Sequence, residues 1–413
     1  MRVEGDGKFI QHPGNPASPP DDPVNHETLS IDDFGPVPVR RPASVADLCG
    51  LVKEAVGTGQ GLYPVGGRTT LDIGLPPIKP GFALDTTALN DVIDYPARDM
   101  TITVRAGITI ATLQEILVGE NQWLPVDVAN PERATLGGAV ALNQSGPRRF
   151  GWGTLRDYVI GISFVTDDAV EVKGGGRVVK NVAGYDLMKL QVGAVGTLGV
   201  ITQLTLKVKP KPETFAALAF GCSTADLHSA LDQLHASKSR PAVVEVLNAA
   251  AWRTANLQPE FASDFVVAVG FDEKADTVAW QVQTLLDELK TVGDVTRITE
   301  PAALWSAISG LQTRPDSRFI WKVSVPPSQV AEFVRGLPSG LVHAHALNGI
   351  VWVHDVEKLE TKHHATLYRC PSNLKASRAL CGTHSPTWEL MRHVKRTLDP
   401  NNVFNPGRLF GDL

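Results

Sequence analysis

The sequence predicts an α+β fold with two unlike parts and a short C-terminal tail. Three glycine-rich stretches, at residues 66–70, 134–143 and 193–199, separate short strands and helices in the first half of the chain. Beyond residue 210 such stretches become rare, and the periodicity predicts a βαββαβ order, which is typical of an antiparallel sheet with helices on one face. A chain of 413 residues is long enough for two or three domains.

The composition is that of an ordinary globular protein. The 39 Lys+Arg residues against 44 Asp+Glu residues leave a net charge of −5, so no broad positive field favours nucleic acid or an anionic membrane. No apolar run is long enough to span a bilayer, and the first residues lack the apolar core of a signal peptide. We therefore expect a cytoplasmic protein that contacts a membrane only peripherally, through partners.

Cysteine and histidine spacing predicts no metal centre. No two cysteines form a C-x-x-C motif, so neither an iron–sulfur cluster nor a cysteine zinc site is expected, and free thiols are the default in a reducing compartment. The clustered histidines beyond residue 342 are a weak signal for metal. These residues are Cys49, Cys222, Cys370, Cys381, His343, His345, His354, His363 and His364.

The proline-rich residues 1–37 predict an N-terminal arm that is largely disordered and becomes regular only near Val37–Arg41. The first helix is expected to begin after Ser44, a good N-cap, and to end at Gly57 and Gly59.

The first glycine-rich stretch follows a short predicted strand, Leu62–Val65. Its residues offer consecutive backbone amides, two hydroxyls and an arginine, which are the donors that a diphosphate needs. The stretch fits neither the P-loop nor the Rossmann motif, and a hairpin connection is an equally good interpretation of it alone. It consists of Gly66, Gly67, Arg68, Thr69 and Thr70.

The second and third stretches have similar features. Thr135, Gly137 and Gly138 stand at the start of a predicted short helix, an end that favours anions. The third stretch lies between a helical run over Tyr185–Val192 and a strand that ends at Val208. Its glycines allow close approach of the backbone to a ligand, although a tight helix-to-strand connection explains them equally well.

Five motifs in register carry a family resemblance. Together they resemble the FAD-binding domain of the vanillyl-alcohol oxidase type, called the PCMH fold, and a C-terminal tail that returns to the flavin in one branch of that family. Within the branch, GPRR and VVKNVAGYDL are most similar to the FAD-binding subunits of bacterial glycolate oxidases. The five motifs are GGRTT at 66–70, ATLGGAVALN at 134–143, G-x-x-RD at 153–157, GYDL…GTLGVIT at 184–202 and DP…NPGR at 399–408, and the two that indicate the branch are GPRR at 146–149 and VVKNVAGYDL at 178–187.

The resemblance implies a PCMH-type FAD-binding domain at 38–210, a cap domain at 211–385, and a C-terminal helix and tail at 386–413 that contact the FAD domain. It implies noncovalent FAD, because neither of the first two glycine stretches contains the histidine or cysteine to which many members attach it. By position, the implied FAD contacts are Gly66, Gly67, Arg68, Thr69, Thr70, Pro131, Thr135, Leu136, Gly137, Gly138, Asn143, Gly153, Arg156, Gly199, Val200, Ile201, Asn405 and Arg408.

Related flavoproteins that oxidise D-2-hydroxy acids carry a metal-binding H-x-G-x-G-N-x-H motif in the cap and a later E-H-G. This chain has His343-Ala-His345-Ala-Leu-Asn-Gly349 instead and lacks the E-H-G. We therefore expect no metal here.

Oxidation of a hydroxy acid by a flavin also needs a cation for the carboxylate and a base for the hydroxyl proton. Arg148 and Arg149 are the candidate clamp, with contact to the FAD phosphates or to a partner acid as the alternative. His364 and His384 are candidate bases by residue type alone, and surface or packing histidines are commoner. Three further residues, Lys180, Asn181 and Tyr185, are candidates for the flavin-ring side of the site, with a solvated loop as the rival interpretation.

Two functions of different class follow from the resemblance. One is a flavin dehydrogenase subunit that acts on glycolate or a similar small 2-hydroxy acid. The other is an FAD-containing electron-transfer or scaffold subunit beside a catalytic flavoprotein. Both imply two partners, that flavoprotein and an iron–sulfur subunit. A cell-wall precursor reductase of the same FAD fold is a weaker third alternative.

Overall fold

We describe the protein from a computed structural model, which describes residues 27–176, 186–290, 293–338, 340–375 and 387–413. The N-terminal part contains eleven strands and six helices. In chain order they are β1 Thr28–Ile31, β2 Phe34–Arg40, α1 Val45–Thr58, β3 Gly61–Val65, β4 Gly81–Asp85, β5 Val92–Asp94, β6 Thr101–Arg105, α2 Ile110–Gly119, β7 Gln122–Trp123, α3 Leu136–Leu142, α4 Arg149–Trp152, α5 Leu155–Tyr158, β8 Val159–Val165, β9 Glu171–Gly175, α6 Leu187–Gln191, β10 Val200–Lys207 and β11 Lys209–Pro210.

These strands form two main sheets. The first has the order β1-β2-β4-β3, in which β4 is parallel to both of its neighbours. The second is antiparallel with the order β5-β6-β10-β8-β9, and α2 and α3 pack on it. Between the sheets a cluster that includes Leu62, Leu84, Val165 and Val200 is completely or nearly completely buried. The glycine-rich stretches adjoin or contain these strands and helices, so the packing of the sheets brings the three stretches close to one another.

The second part is built on one eight-stranded sheet with the order β15-β12-β14-β13-β17-β18-β16-β19. All seven pairs of neighbouring strands in it are antiparallel. Its elements are β12 Thr214–Cys222, α7 Leu227–Ala236, β13 Val243–Asn248, α8 Ala249–Thr254, β14 Phe265–Glu273, α9 Ala275–Glu288, β15 Val295–Ile298, α10 Pro301–Leu311, β16 Ile320–Ser324, α11 Val330–Arg335, β17 Leu341–His345, β18 Ile350–His354, β19 His364–Arg369 and α12 Ser372–Lys375, and after it comes α13 Trp388–Leu398.

Local signals set several element ends as predicted. The side chain of Ser44 accepts a hydrogen bond from the Asp47 amide and begins α1, and Gly59 ends it in the left-handed conformation. The side chain of Thr135 accepts from the Gly138 amide in the same way and begins α3.

Two expectations about order and layering are wrong. Regular structure is already present before Val37, because β1 Thr28–Ile31 pairs with β2 and Ile31 is buried against it. The cap helices also cover both faces of their sheet: α7, α9 and α11 pack on one face, and α8 and α10 pack on the other. Along β12, β13 and β14 the side chains on both faces of the sheet are mostly apolar, so helices have to bury both faces.

The C-terminal segment is anchored in the N-terminal part by a buried charge. The ammonium of Lys395 is 1% exposed, pairs with the Asp399 carboxylate, and donates to the carbonyls of Thr197 at 3.0 Å and Phe404 at 2.9 Å. Asp399 in turn accepts from the amides of Val403 and Phe404, both at 2.9 Å. These bonds fix the chain after α13 as an extended segment.

That segment extends the first sheet at its edge strand β3. The Leu62 amide donates to Val403 O at 2.8 Å, and the Asn405 amide donates to Leu62 O at 2.9 Å. The tail therefore completes a sheet that is otherwise made only of residues before position 86.

We predict that Lys395→Met lowers the free energy of unfolding by about 3–5 kcal/mol, because it leaves the Asp399 carboxylate buried without its cation. Urea denaturation at neutral pH measures the change. Arg396→Met removes an exposed cation from the same helix and is the control, with an expected change within about 0.5 kcal/mol. Equal stability of the two variants would contradict the anchoring role.

Candidate functional site

The three glycine-rich stretches and the tail surround one cavity. It encloses about 940 Å³ of empty space, part of which is open to solvent. Four segments supply most of its wall, namely residues 63–73, 134–142, 195–201 and the tail residues Asn405 and Arg408. A cavity of this size and composition suits a large ligand with both flat and charged parts.

The first stretch supplies free backbone donors. Gly66, Gly67, Arg68, Thr69 and Thr70 all line the cavity. Within the described ranges, the amides of residues 67–70 donate no hydrogen bond to protein. Consecutive unpaired amides of this kind are suited to phosphate oxygens.

The charge of Arg68 is already balanced by protein. Its guanidinium pairs with Glu27 at 2.6 Å and with the buried Asp85 at 3.2 Å. The amides and hydroxyls of the loop are therefore its main contribution to an anion, and Arg68 also holds the loop on the sheet.

The first and second stretches touch with no room for a side chain between them. A Cβ on Gly67 would lie 1.6 Å from Arg133 O, and one on Gly66 would lie 2.1 Å from the hydroxyl oxygen of Thr135. Glycine at these positions is thus required by the close approach of two loops, in addition to any contact with a ligand.

The expectation that the amides of the second stretch are available to an anion is wrong. The Gly137 amide donates to Ala106 O at 2.7 Å, and the Gly138 amide donates to the hydroxyl of Thr135 at 3.3 Å. Thr135, Gly137 and Gly138 still line the cavity. A Cβ on Gly138 would meet only Thr135, at 3.2 Å, so this glycine faces open space.

The third stretch and the tail close the opposite wall. Gly199, Val200 and Ile201 line the cavity as predicted, and the side-chain amide of Asn405 donates to Val195 O at 2.8 Å. The guanidinium of Arg408 donates to Leu75 O at 2.7 Å and also to the carbonyls of Leu71 and Ile73. Arg408 thereby fixes the segment that follows the first glycine loop.

Five of the predicted cofactor contacts lie away from this wall. Leu136 is fully buried in the core, and the side chain of Asn143 accepts a hydrogen bond from the Arg156 amide. The side chain of Arg156 is exposed and donates to Lys189 O. Pro131 accepts from the Ala111 amide, and Gly153, with φ +84°, makes the turn before α5. These residues support the segments that form the wall of the cavity, but they do not line it.

The structure contradicts the predicted role of Arg148 as a substrate clamp. Its guanidinium is buried and pairs with Asp127 at 2.5 Å and with Asp272 of the cap at 2.8 Å. The guanidinium carbon also lies 5.3 Å from the ring of Trp123 and 5.5 Å from that of Phe215. Arg148 therefore joins the two parts of the protein and has no free face for a ligand.

Arg149, the next residue, faces a different environment. It begins α4, whose Gly151 amide donates to Ala242 O of the cap at 2.9 Å. Its guanidinium is half-buried and donates to the hydroxyl of Ser145 at 3.1 Å, and no carboxylate in the described part of the chain forms a salt bridge with it. Burial lowers the pKa of Arg149, yet an arginine stays charged at neutral pH.

Lys322 of the cap lies near Arg149. No role was predicted for it from the sequence. Its Nζ lies 5.5 Å from the ring of Trp352 and 5.6 Å from that of Tyr368. Burial, and then repulsion by Arg149, lower the pKa of Lys322 to about 8. Lys322 stands two positions after the buried, apolar Ile320 on β16, and this was the available signal, because residues i and i+2 of a strand point to the same face.

Three of the clustered histidines, His343, His345 and His354, are buried. His345 is held between Glu245, at 2.7 Å from its Nδ1, and Gln312, at 3.3 Å from its Nε2. His343 is stacked on Trp352, and burial lowers the pKa values of His343 and His354, the latter to about 4. Among the described residues no group of three or more His, Cys, Asp or Glu is placed to hold a metal ion.

The structure also contradicts the role of His364 as a base. It is the exposed first residue of β19, the edge strand of the cap sheet, and it is absent from the wall of the cavity. The other candidates, Lys180, Asn181, Tyr185 and His384, lie outside the described residues.

Comparisons with known proteins agree with this geometry. Residues 36–174 match the family model of the FAD binding domain, and residues 377–409 match that of the C-terminal domain of FAD linked oxidases. Glycolate oxidase subunit GlcE of Escherichia coli is 28% identical, over 88% of this chain and 96% of the relative. Glycolate oxidase subunit GlcD of Bacillus subtilis is 25% identical, over 84% of this chain and 83% of the relative.

Among solved structures, 4-ethylphenol oxidase from Gulosibacter chungangensis shares the fold, with a TM-score of 0.67 at 13% identity over 90% of this chain and 88% of that one. The chain thus contains residues that match the FAD binding domain and the C-terminal domain of FAD linked oxidases, and it is similar to glycolate oxidase subunits. It is an FAD-dependent oxidoreductase with a mixed α+β fold, and its cofactor is FAD. No helix in the described residues is long and apolar enough to cross a membrane.

The residues of the cavity fit this cofactor. The free amides of residues 67–70 suit a diphosphate, and the side-chain-free surface of Gly138, which faces open space, allows close packing against a flat group. Bound FAD supplies the capacity to accept a hydride from a CH–OH carbon.

We predict that Gly138→Asp weakens FAD binding at least about tenfold, which corresponds to about 1.4 kcal/mol, because its carboxylate enters the cavity beside the diphosphate. Gly138→Asn has the same shape without the charge and is the control. Fluorescence titration of the apoprotein with FAD measures both dissociation constants. Equal weakening of FAD binding by the two variants would show that the effect is steric. It would contradict the assignment of the diphosphate to this turn.

Proposed function

We propose that this chain is the FAD-binding subunit of a glycolate oxidase-type complex that oxidises a small 2-hydroxy acid, glycolate or D-lactate. FAD is held noncovalently, and the electrons pass through it to an iron–sulfur partner. The likeness to subunit GlcE, which extends over 96% of that relative, supports this assignment. So does the likeness to GlcD, since both names are those of glycolate oxidase subunits.

The observation that carries the substrate class is the pair of cations between the FAD part and the cap. Arg149 and Lys322 are each half-buried, lie close enough for mutual repulsion, and form no salt bridge in the described ranges. Two uncompensated cations in a partly desolvated site favour an anionic ligand, and a carboxylate is the anion of a hydroxy acid.

In our proposal these cations lie beside the flavin cavity, although neither is among the residues that line it. Leu142 at the end of α3 lines the cavity, and the short segment after it leads to Arg149. The ion pairs of Arg148 hold that segment against the cap, and Gln312 donates to Ser145 O at 3.1 Å. In our proposal the carboxylate of the substrate lies between Arg149 and Lys322 while its CH–OH carbon points towards the flavin.

A second candidate function is an FAD-containing electron-transfer or scaffold subunit whose partner flavoprotein oxidises the acid. The environment of His345 favours it. Both ring nitrogens of that histidine have protein partners, Glu245 and Gln312, so the ring has no free nitrogen for a metal or a substrate proton.

An anaerobic visible spectrum of the FAD-loaded chain, recorded before and after addition of glycolate or D-lactate, tests the two functions. Bleaching of the flavin band by the chain alone supports substrate oxidation here. Bleaching that requires the partner flavoprotein supports electron transfer. A band that stays in the complete complex with either acid overturns the proposed substrate class.

The pair of cations also predicts a pH dependence. Lys322 is protonated below its pKa of about 8 and neutral above it, so the affinity for a carboxylate substrate falls as the pH rises through about 8. Arg149 stays charged over this range, and Tyr368, whose pKa is raised to about 12, stays neutral. We expect KM to rise across this pH range in the wild type.

In Lys322→Met, KM should be at least about tenfold higher at pH 7, because one charged contact worth about 1.4 kcal/mol or more is lost. The rise of KM near pH 8 should also disappear. Steady-state kinetics from pH 6.5 to about 9 with a soluble electron acceptor measure both effects. A rise of KM that persists in the variant would assign the titration to another group.

A further inference from the structure

Lys322 occupies an unusual position for a lysine. It lies on β16, the strand next to the edge strand β19, directly opposite Trp352 on β18, and the rings of Trp352 and Tyr368 lie 5.5 and 5.6 Å from its ammonium. The side chain is partly exposed. The facing group from the other part of the protein is the guanidinium of Arg149.

The other buried lysines in the described chain differ in one respect. Lys375 pairs with Asp32 at 2.7 Å, and Lys395 pairs with Asp399, so each ammonium is held by a carboxylate. Lys322 has aromatic rings and a second cation as its neighbours instead. An apolar wall and an adjacent cation both favour the neutral amine, which is the nucleophilic form.

We propose that Lys322 is a reactive lysine, whose amine condenses reversibly with the carbonyl of a small 2-oxo acid or aldehyde acid while Arg149 holds the carboxylate of that acid. The choice of an oxo acid rests on the proposed function, because oxidation of a 2-hydroxy acid yields one. The reactivity of the amine rests only on its surroundings.

The chemistry balances without an oxidant or a reductant. The free electron pair of Nζ attacks the carbonyl carbon and forms a carbinolamine, in which one N–H proton has moved to the carbonyl oxygen. The carbinolamine hydroxyl then leaves with the second N–H proton as water, and a C=N bond remains. Because the adduct occupies Nζ, a second acid cannot use this cation, and the oxo acid is expected to inhibit competitively with the hydroxy acid.

The burial of the amine determines how much faster Lys322 is expected to react than an ordinary lysine. At pH 7 a group with a pKa of about 8 is roughly 10% unprotonated. An ordinary lysine, with a pKa of about 10.4, is less than about 0.1% unprotonated at the same pH. The lower basicity of the amine offsets part of this advantage, so we expect condensation at Lys322 to be at least about tenfold faster than at an ordinary lysine.

Reductive trapping tests the proposal. The FAD-loaded full chain is incubated at pH 7 with glyoxylate and cyanoborohydride, without hydroxy acid or electron acceptor, and the rate of carboxymethylation of each lysine is measured by peptide mass spectrometry. Lys207, which lies 5.6 Å from the ring of Tyr158, is the internal reference, because its ammonium also faces an aromatic ring. Modification of Lys322 at least about tenfold faster than of Lys207 is the expected result.

The role of Arg149 needs a probe without a carboxylate. Formaldehyde condenses with the same amine, so the ratio of glyoxylate to formaldehyde trapping at Lys322 isolates the recruitment of the anion. We expect Arg149→Gln to lower this ratio at least about fivefold, while the same ratio at Lys207 stays unchanged.

The outcomes separate this inference from the proposed function. Equal glyoxylate rates at Lys322 and Lys207 overturn the reactive lysine, even if glycolate bleaches the flavin. Fast trapping at Lys322 in a chain whose complete complex oxidises no hydroxy acid supports the reactive lysine and overturns the function. An unchanged trapping ratio in Arg149→Gln removes Arg149 from the site.

Discussion

The cavity depends on the buried ion pair between Lys395 and Asp399. Its walls come from segments that are far apart in the chain, and the last of them, with Asn405 and Arg408, has no helix or strand of its own to hold it. Asp399 accepts from two tail amides, and Lys395 donates to the carbonyls of Phe404 and Thr197. One pair of opposite charges thus joins the tail to the third glycine-rich stretch. Because both charges are desolvated, neither is tolerable alone, and the geometry is strongly specified.

A second buried cation, the guanidinium of Arg148, joins the FAD domain to the cap. Arg148 takes one carboxylate from each side, Asp127 and Asp272, and its guanidinium lies between the rings of Trp123 and Phe215. A planar guanidinium can make both kinds of contact at once. With Arg148 fixed in this way, the following residue, Arg149, is left facing the other side of the interface, where it donates to Ser145 and forms no salt bridge with a described residue. Adjacent arginines therefore have opposite roles, one structural and one suited to a ligand.

The cap also separates two kinds of buried polar group. The carboxylate of Glu245 and the ring of His345 form a hydrogen bond across neighbouring strands. Burial keeps His343 and His354 neutral. Lys322, opposite Trp352 on the neighbouring strand, has no such partner. Lys322 forms no ion pair with a described residue, so its amine is available to an anion or for covalent chemistry.

The sequence by itself determined the class of fold, the order of its elements and the cofactor-binding stretches. Ser44 and Thr135 set helix starts by local hydrogen bonds, and the resemblance of the glycine motifs identified the FAD-binding fold, because both signals are carried by residues close together in the chain. Only the tertiary structure decided which polar groups remain free. The Gly137 amide is used by Ala106 O, and Arg148 is used by carboxylates that lie 21 and 124 positions away in the chain. Lys322 is left without an acid. Whether a donor or a charge is satisfied depends on partners brought together by folding, and local sequence does not contain that information.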